Sequence, residues 1–191
     1  VFAFAVILIV VLMALVPQLF TRYDPYALIA DDLEPPSRQH LLGTDELGRD
    51  LYARIVYGAR ATIYVGVGSS LLAALLGIPI GLIAGFLGGK VDLVIMRILD
   101  AFMAFPAILL AVLIIAVTGA SANALVLTVA MVNFPRFARI VRSNTLYTKR
   151  IDFVEATRVY GARRGYIMFR TILGNCLSPL VVQFTLLVAI A

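Results

Sequence analysis

The chain has 191 residues, of which 62% are hydrophobic and 14% are charged, and its formal net charge is +5. A hydrophobic share this large excludes an ordinary soluble domain and indicates an integral membrane protein. The charges fall in three segments: residues 21–60 with five basic and seven acidic side chains, 88–100 with two of each, and 136–170 with nine basic and two acidic. The basic residues have no folded domain of their own, which argues against nucleic-acid binding.

The apolar runs between these segments are candidates for membrane-spanning helices, each of which needs about 20 residues to cross about 30 Å of hydrocarbon. Five runs qualify: 1–20, 61–87, 101–118, 120–135 and 176–191. The first lacks a charged leading region and is longer than the apolar core of a signal peptide, so we interpret it as a span. The chain starts without Met and stops within an apolar run. We therefore expect a single membrane domain over 1–191, incomplete at both ends, with at least one further span.

The charge asymmetry predicts the orientation, because short loops rich in Lys and Arg stay in the cytoplasm. The segment 136–170 should therefore be cytoplasmic. Three spans separate it from 21–60, which places that acidic segment outside. This topology depends on run 120–135, which is short and contains Asn123 and Asn133.

The outer segment contains a predicted amphipathic helix. Thr44 is placed to cap it, and Asp45 and Glu46 in its first turn would suit the helix dipole. Its apolar face would comprise Leu47, Leu51, Ile55 and Val56. We expect this helix to lie on the outer membrane surface, where it either orients the next span or contacts a partner or entrance.

Two single residues are candidates for a metal or redox site. His40 lies near Asp45, Glu46 and Asp50, but their spacing fits no calcium loop and supplies no second imidazole, so we predict no metal site. Cys176 has no second cysteine to pair with in this chain. We interpret it as a small buried hydrophobic residue.

Glycines form a regular stripe in the second run. Gly77, Gly81, Gly85 and Gly89 recur every four residues, which predicts a smooth helix face against which another helix packs closely. Prolines inside three of the runs each remove a backbone donor and predict kinks: Pro79, Pro106 and Pro179.

Charged residues precede the third run. Arg97 and Asp100 are spaced to share a helix face, close to Asp92. One interpretation makes Asp100 a polar group on a substrate path. The interpretation that we favour places all three at the lipid–water interface, with 101–118 alone supplying the span.

The cytoplasmic loop 139–173, which overlaps the basic segment 136–170, is predicted to contain two short helices. Asp152 and Glu155 have the spacing of a capping box, so a helix should start at Phe153, and Gly161 is suited to end it. Residues 163–165 should then form a turn, followed by a second apolar helix toward the last span. In an alternative interpretation, this segment merely binds anionic lipid headgroups.

These residues carry a family resemblance that covers nearly the whole chain. Glu155, Ala156 and Thr157 with Gly161, followed by Ile172 and Leu173, resemble the EAA loop of ABC importer permeases. The string 40–50 resembles the dipeptide/oligopeptide/nickel subgroup, and so do three further stretches: 88–92, 96–100 and 105–106. Two positions differ from the family pattern, because Thr157 stands where a second alanine is usual and Gly174 where a proline is usual.

The resemblance implies an all-α polytopic bundle with the type I ABC importer fold, in which five of about six spans are represented. It implies a partnership with a second homologous permease, two cytoplasmic ATPases and an extracytoplasmic solute-binding protein. The ATPase-coupling residues would be Asp152, Phe153, Glu155, Ala156, Thr157, Gly161 and Ala162. The outer-segment motif would comprise Gly43, Thr44, Asp45, Gly48, Arg49 and Asp50, and helix packing would use Gly77, Gly81 and Gly85.

The expected function is that of a permease subunit in the bacterial inner membrane, importing di- or oligopeptides. The chain has no phosphate-binding glycine loop, so we expect no cofactor on this chain, with ATP and Mg on the partner ATPases. Nickel or another small solute is the alternative cargo, and a passive channel or structural subunit is an alternative class. An intramembrane enzyme would need a nucleophile with a base, or a metal set, inside the spans, and the sequence supplies neither.

Overall fold

The computed structural model describes residues 2–190, with the side chain of Phe2 excepted. Those residues form helices joined by loops, and the only strand-like pairing among them is a single bridge between Thr44 and Asp50. The helices are α1 (Phe2–Leu15), α2 (Leu51–Leu87), α3 (Gly89–Ala104), α4 (Ala107–Thr118), α5 (Ala122–Thr148), α6 (Asp152–Val159) and α7 (Arg164–Ile190). The predicted all-α membrane bundle is confirmed.

Within residues 2–190, three helices are long and apolar enough to cross a membrane: α2, α5 and α7. Helices α3 and α4 qualify as a fourth span only if they are taken together. Helix α1 has 14 residues, fewer than a straight crossing needs, and one 3₁₀ turn at Pro17–Leu19 follows it. Val1 and Ala191, the outer ends of the first and last predicted runs, lie outside the described residues.

The prediction that 101–118 alone forms a span is wrong. The chain bends by 87° between α3 and α4, at Phe105 and Pro106. Phe105 has extended backbone angles (φ −74°, ψ 131°), as expected of a residue that precedes proline. Helix α4, which follows the bend, has only 12 residues, fewer than the roughly 20 that a membrane-spanning helix needs.

The predicted run 120–135 is part of a longer helix. Helix α5 has 27 residues, passes through Pro135 and ends at Thr148. The first 13 residues of the basic segment therefore extend a membrane helix rather than forming a loop. The predicted turn at 163–165 is also wrong, because α7 already begins at Arg164 and is continuous to Ile190, with one wide π turn at Ile167–Ile172.

The described chain divides into two compact units, one up to Tyr64 and one from Val65 onward. In the first unit the predicted surface helix after Thr44 is wrong. Helix α2 begins only at Leu51, where the Asp50 side chain caps it by accepting a hydrogen bond from the Ala53 amide at 2.7 Å. From Leu51 the helix continues without a break.

The second unit is built on close packing of α2 against α5. A Cβ atom added at Gly77, Gly81 or Gly85 would lie 2.6, 2.2 or 2.7 Å from the nearest atom of α5, so the predicted stripe is confirmed at these three positions. Gly89 does not belong to it, because α2 has ended at Leu87 and Gly89 starts α3 at φ +56°. Side chains of α5 and α7 complete the buried core, including Phe137, Val141, Ile167, Ile172 and Cys176.

Candidate coupling site

Helix α6 begins one residue earlier than the sequence pattern predicts. Ile151 is the N-cap residue, with extended angles (φ −83°, ψ 141°) and no side-chain capping bond. The capping box of Asp152 and Glu155 is therefore wrong. The preceding turn ends α5 with a hydrogen bond from the Ile151 amide to the Thr148 carbonyl, and this fixes the helix start. Both acids lie in the first turn, where they still favour the helix dipole.

The C-terminus of α6 has the predicted geometry. Gly161 adopts φ +77°, a left-handed conformation that glycine accepts without a Cβ clash. Its amide donates to the Arg158 carbonyl at 3.0 Å, and the Ala162 amide donates to the Thr157 carbonyl at 3.3 Å. This pair of bonds is a Schellman motif, so the turn after α6 is well defined.

Helix α6 buries one residue and exposes several apolar side chains among its charged ones. Val154 has no exposed surface, whereas Phe153, Val159 and Tyr160 are 41%, 81% and 91% exposed. Ala156 lies on the exposed side as well. Apolar side chains this exposed, on a short helix within the most basic segment of the chain, are typical of a protein contact surface.

Thr157, which stands where the family usually has alanine, is accommodated within the helix. Its hydroxyl donates to the Phe153 carbonyl at 2.7 Å. The extra donor is therefore satisfied, and the departure leaves no unpaired polar group.

Val154 attaches α6 to the membrane bundle. It belongs to the same buried cluster as Ile167 and Ile172, which lie in the π turn of α7, and Ala162 packs against this cluster. A displacement of α6 would therefore act directly on α7. Wide turns of this kind are frequently found at functional sites.

Ion pairs join α5 to α3 near this site. Arg142 donates two hydrogen bonds to the Asp92 carboxylate, and the distance between Nη2 and Oδ2 is 2.6 Å. Arg139 Nη2 lies 2.5 Å from Asp100 Oδ1. Lys149 donates through Nζ to the Gly85 carbonyl at 2.8 Å, close to the C-terminus of α2. This cation is suited to the negative end of the α2 dipole.

These partners were not predicted. Asp100 pairs with α5 rather than with Arg97, which forms no ion pair within residues 2–190. The i, i+3 spacing of Arg139 and Arg142 places both arginines on one helix face, and this is the only sequence pattern that points to the ion pairs. It does not identify the partners, which lie 39 and 50 residues away.

The outer-segment motif forms a compact loop within the first unit. The Thr44 hydroxyl accepts from the Glu34 amide at 2.8 Å and donates to the Asp31 carbonyl at 2.7 Å. Gly43 and Gly48 have φ +77° and +69°, and a Cβ on either would lie within 2.3 Å of a backbone oxygen. At both glycines another backbone segment of the loop lies too close to leave room for a side chain.

Side-chain contacts of two aspartates complete this loop. His40 Nδ1 lies 2.9 Å from Asp50 Oδ2, and both residues are buried. Partial burial raises the pKa of Asp45. Hydrogen bonds from the backbone amides of Arg49 and Leu47, together with the Arg49 guanidinium, have a larger opposite effect, so the pKa is lowered to about 2. Among residues 2–190 no group of three His, Cys, Asp or Glu side chains could hold a metal ion.

The predicted residues thus occupy three places: one around α6, one in the outer loop and one along the contact of α2 with α5. Several apolar helices of spanning length define a polytopic membrane protein. Residues 77–191 match the family described as "Binding-protein-dependent transport system inner membrane component". The chain belongs to this family.

Transport permeases of several bacteria are similar to the chain. It is 44% identical to the dipeptide transport system permease protein DppC of Alkalihalophilus pseudofirmus over 81% of the chain and 51% of the relative. It is 42% identical to the glutathione transport system permease protein GsiD of Pectobacterium atrosepticum, over 80% and 51%. It is 35% identical to the oligopeptide transport system permease protein OppC of Bacillus subtilis, over 97% and 61%. The chain thus spans between half and two thirds of the length of these relatives.

Proposed function

We propose that the chain is part of a permease subunit of an ATP-driven importer for di- or oligopeptides in the bacterial inner membrane. Its family and the peptide substrates in the names of its relatives support this proposal. The subunit would form half of the translocation path with a second, homologous permease. Two ATPases and an extracytoplasmic solute-binding protein would complete the complex.

The observation that carries the proposal is the surface of α6. A helix that buries only Val154 and exposes Phe153, Val159 and Tyr160 is poorly explained by the fold of this chain alone. A groove on a partner ATPase would cover these side chains. The Schellman turn at Gly161 would hold the helix in a defined orientation for that contact.

The contacts of α6 also suit the transmission of movement. A helix that frays or rotates freely cannot transmit displacement, whereas α6 is fixed at Val154 to buried side chains of α7. ATP-driven closure of the partner ATPases would move α6, and α7 would move with it. ATP and Mg would be bound by the partners, and this chain would contribute no catalytic residue.

The charge distribution supports a cytoplasmic location for α6. The segment 136–170 contains nine basic and two acidic residues, which favours the cytoplasmic side of the membrane. The segment 21–60 would then lie outside, within reach of the solute-binding protein. Its compact loop around Thr44 and Asp50 would orient the start of α2.

The test uses the full-length permease, expressed with its partner permease and ATPases. Val159 and Tyr160 are both replaced by serine, and the ATPase that copurifies with the permease is quantified. Removing two exposed contact side chains should weaken ATPase association by about tenfold or more, since a central interface residue contributes more than about 1 kcal/mol. The matched control is Tyr26→Ser, because Tyr26 is 81% exposed but lies in the outer segment. Normal ATPase recovery and normal transport in the double variant would contradict the proposal.

The cargo is tested with the same complex in liposomes. ATP hydrolysis is compared between solute-binding protein loaded with dipeptides and the same protein loaded with a nickel complex. We expect strong stimulation by the peptide-loaded form. Stimulation by the nickel-loaded form alone would identify nickel as the transported solute. Solute flux without ATP would favour a passive channel.

A further inference from the structure

A cleft beside α6 contains two basic side chains, Arg158 and Arg164. It has a volume of about 560 Å³. Three helices meet there, since Leu87 ends α2, Arg158 lies on α6 and Arg164 begins α7. The complete lining is Phe86, Leu87, Arg158, Ala162, Arg164 and Ile167.

The two arginines of the cleft have no acidic partner. Neither Arg158 nor Arg164 forms an ion pair within the part of the chain that the structure describes, whereas Arg139 and Arg142 are both paired. Among residues 2–190, no acidic side chain lines the cleft. Two like charges on one cleft repel each other, so a bound anion would stabilise the arrangement.

One of the helix ends at the cleft, the N-terminus of α7, adds to its positive character, whereas α2 and α6 end there with their C-termini. Helix α7 begins at Arg164 without a side-chain cap, and a helix N-terminus carries partial positive charge. The C-terminus of α2 would contribute the opposite sign, but Lys149 already binds the Gly85 carbonyl there. A phosphate group matches this environment, because guanidinium groups bind it through two parallel hydrogen bonds.

The remaining lining indicates which phosphate compound fits. Phe86, Leu87 and Ile167 are apolar, and Leu87 is the last residue of a helix long enough to span a membrane. A free phosphate would leave this apolar surface in water. A phospholipid would cover it with its acyl chain while its headgroup met the arginines.

We propose that this cleft binds the headgroup phosphate of an anionic phospholipid, through Arg158 and Arg164. The cleft differs from the proposed ATPase contact, because Phe153, Val159 and Tyr160 do not line it; of the predicted coupling residues, only Ala162 does. It gives the basic segment a specific lipid contact in addition to the general attraction of its charge to the membrane surface.

The test measures lipid retained by the purified full-length permease, using native mass spectrometry during titration with phosphatidylglycerol or phosphatidylcholine. We expect Arg158→Gln and Arg164→Gln each to weaken phosphatidylglycerol binding about fivefold, and the double variant roughly 25-fold, since each basic residue contributes about 1 kcal/mol near an anionic surface. Phosphatidylcholine binding should change little. The matched control is Arg97→Gln, an exposed arginine on α3 outside the cleft, which should leave binding unchanged. Equal melting temperatures of all variants would show that folding is intact.

Three results would overturn the proposal. The first is unchanged phosphatidylglycerol binding in the double variant. The second is equally strong binding of inorganic phosphate, which would identify a free anion as the ligand. The third is normal lipid binding with reduced ATPase recovery, which would assign both arginines to the ATPase interface.

Discussion

Replacing Gly81 with alanine tests the closest contact in the membrane bundle. The new Cβ would lie 2.2 Å from the Ala138 carbonyl oxygen and 2.9 Å from Val141 Cβ. An ordinary contact at this position would be longer by about 1 Å, so α2 and α5 would have to separate by roughly that distance. A backbone oxygen cannot rotate away as a side chain can. We expect a loss of about 1–3 kcal/mol in the free energy of unfolding, as for other overpacked sites.

The neighbouring glycines raise the expected loss toward the upper end of this range. Gly77 and Gly85 are packed almost as tightly, with added Cβ atoms at 2.6 and 2.7 Å from α5. A separation at Gly81 would therefore open gaps at both neighbours. Dispersion contacts would be lost there, and such contacts are the main attraction between helices in lipid.

The assay is thermal unfolding of the purified permease in detergent. A loss of 1–3 kcal/mol should lower Tm by about 3–10 °C for a domain of this size. The control is Gly174→Ala in α7, where a Cβ would meet nothing within 4 Å. It should be neutral or raise the free energy of unfolding by up to about 1 kcal/mol, because alanine favours helix. If the two variants had the same Tm, the close approach of α2 and α5 would be refuted.

Three further perturbations have directions that follow from the structure. Gly161→Ala should lower the free energy of unfolding of α6 by about 1 kcal/mol through left-handed strain alone, since its Cβ would have open space, and hydrogen exchange over 152–162 should rise. Asp92→Asn should destabilise the contact of α3 with α5 by about 1 kcal/mol, and a double-mutant cycle with Arg142→Gln should show coupling between the two positions. The pKa of Asp45 lies at about 2 instead of 3.8, so its stabilising contribution is complete above pH 3.8 and is lost as the pH falls toward 2. Pepsin cleavage of the outer loop, normalised to cleavage of an unfolded substrate at the same pH, should therefore increase over that interval, and Asp45→Asn should reduce this increase.

The glycine stripe could be predicted from the sequence because its signal is local and periodic. Spacing by four residues places Gly77, Gly81 and Gly85 on one face of any helix that contains them. The bend at Pro106 has a similarly local cause, because proline restricts the residue before it. The sequence did not show that this bend would end the helix and divide the predicted span 101–118.

Both predicted helix starts were wrong because several residues nearby could serve as caps. Thr44 instead forms hydrogen bonds with the Glu34 amide and the Asp31 carbonyl, 10 and 13 residues away, and Asp50 caps α2. Before α6, hydrogen bonds to the end of α5 make Ile151 the cap. A capping pattern reports which residues are able to cap, and tertiary contacts decide which one does.

Distant contacts also decide which face of α6 is exposed. The helix period places Phe153, Ala156 and Tyr160 on one side, but the sequence does not say whether that side is covered. The answer depends on Val154, which contacts the buried cluster of α7 and so turns the opposite face outward. Because Val154 fixes this orientation, shortening it to alanine would both loosen α6 and weaken its link to α7. In the proposed coupling to a partner ATPase, the buried Val154 would therefore be needed as much as the exposed side chains of α6.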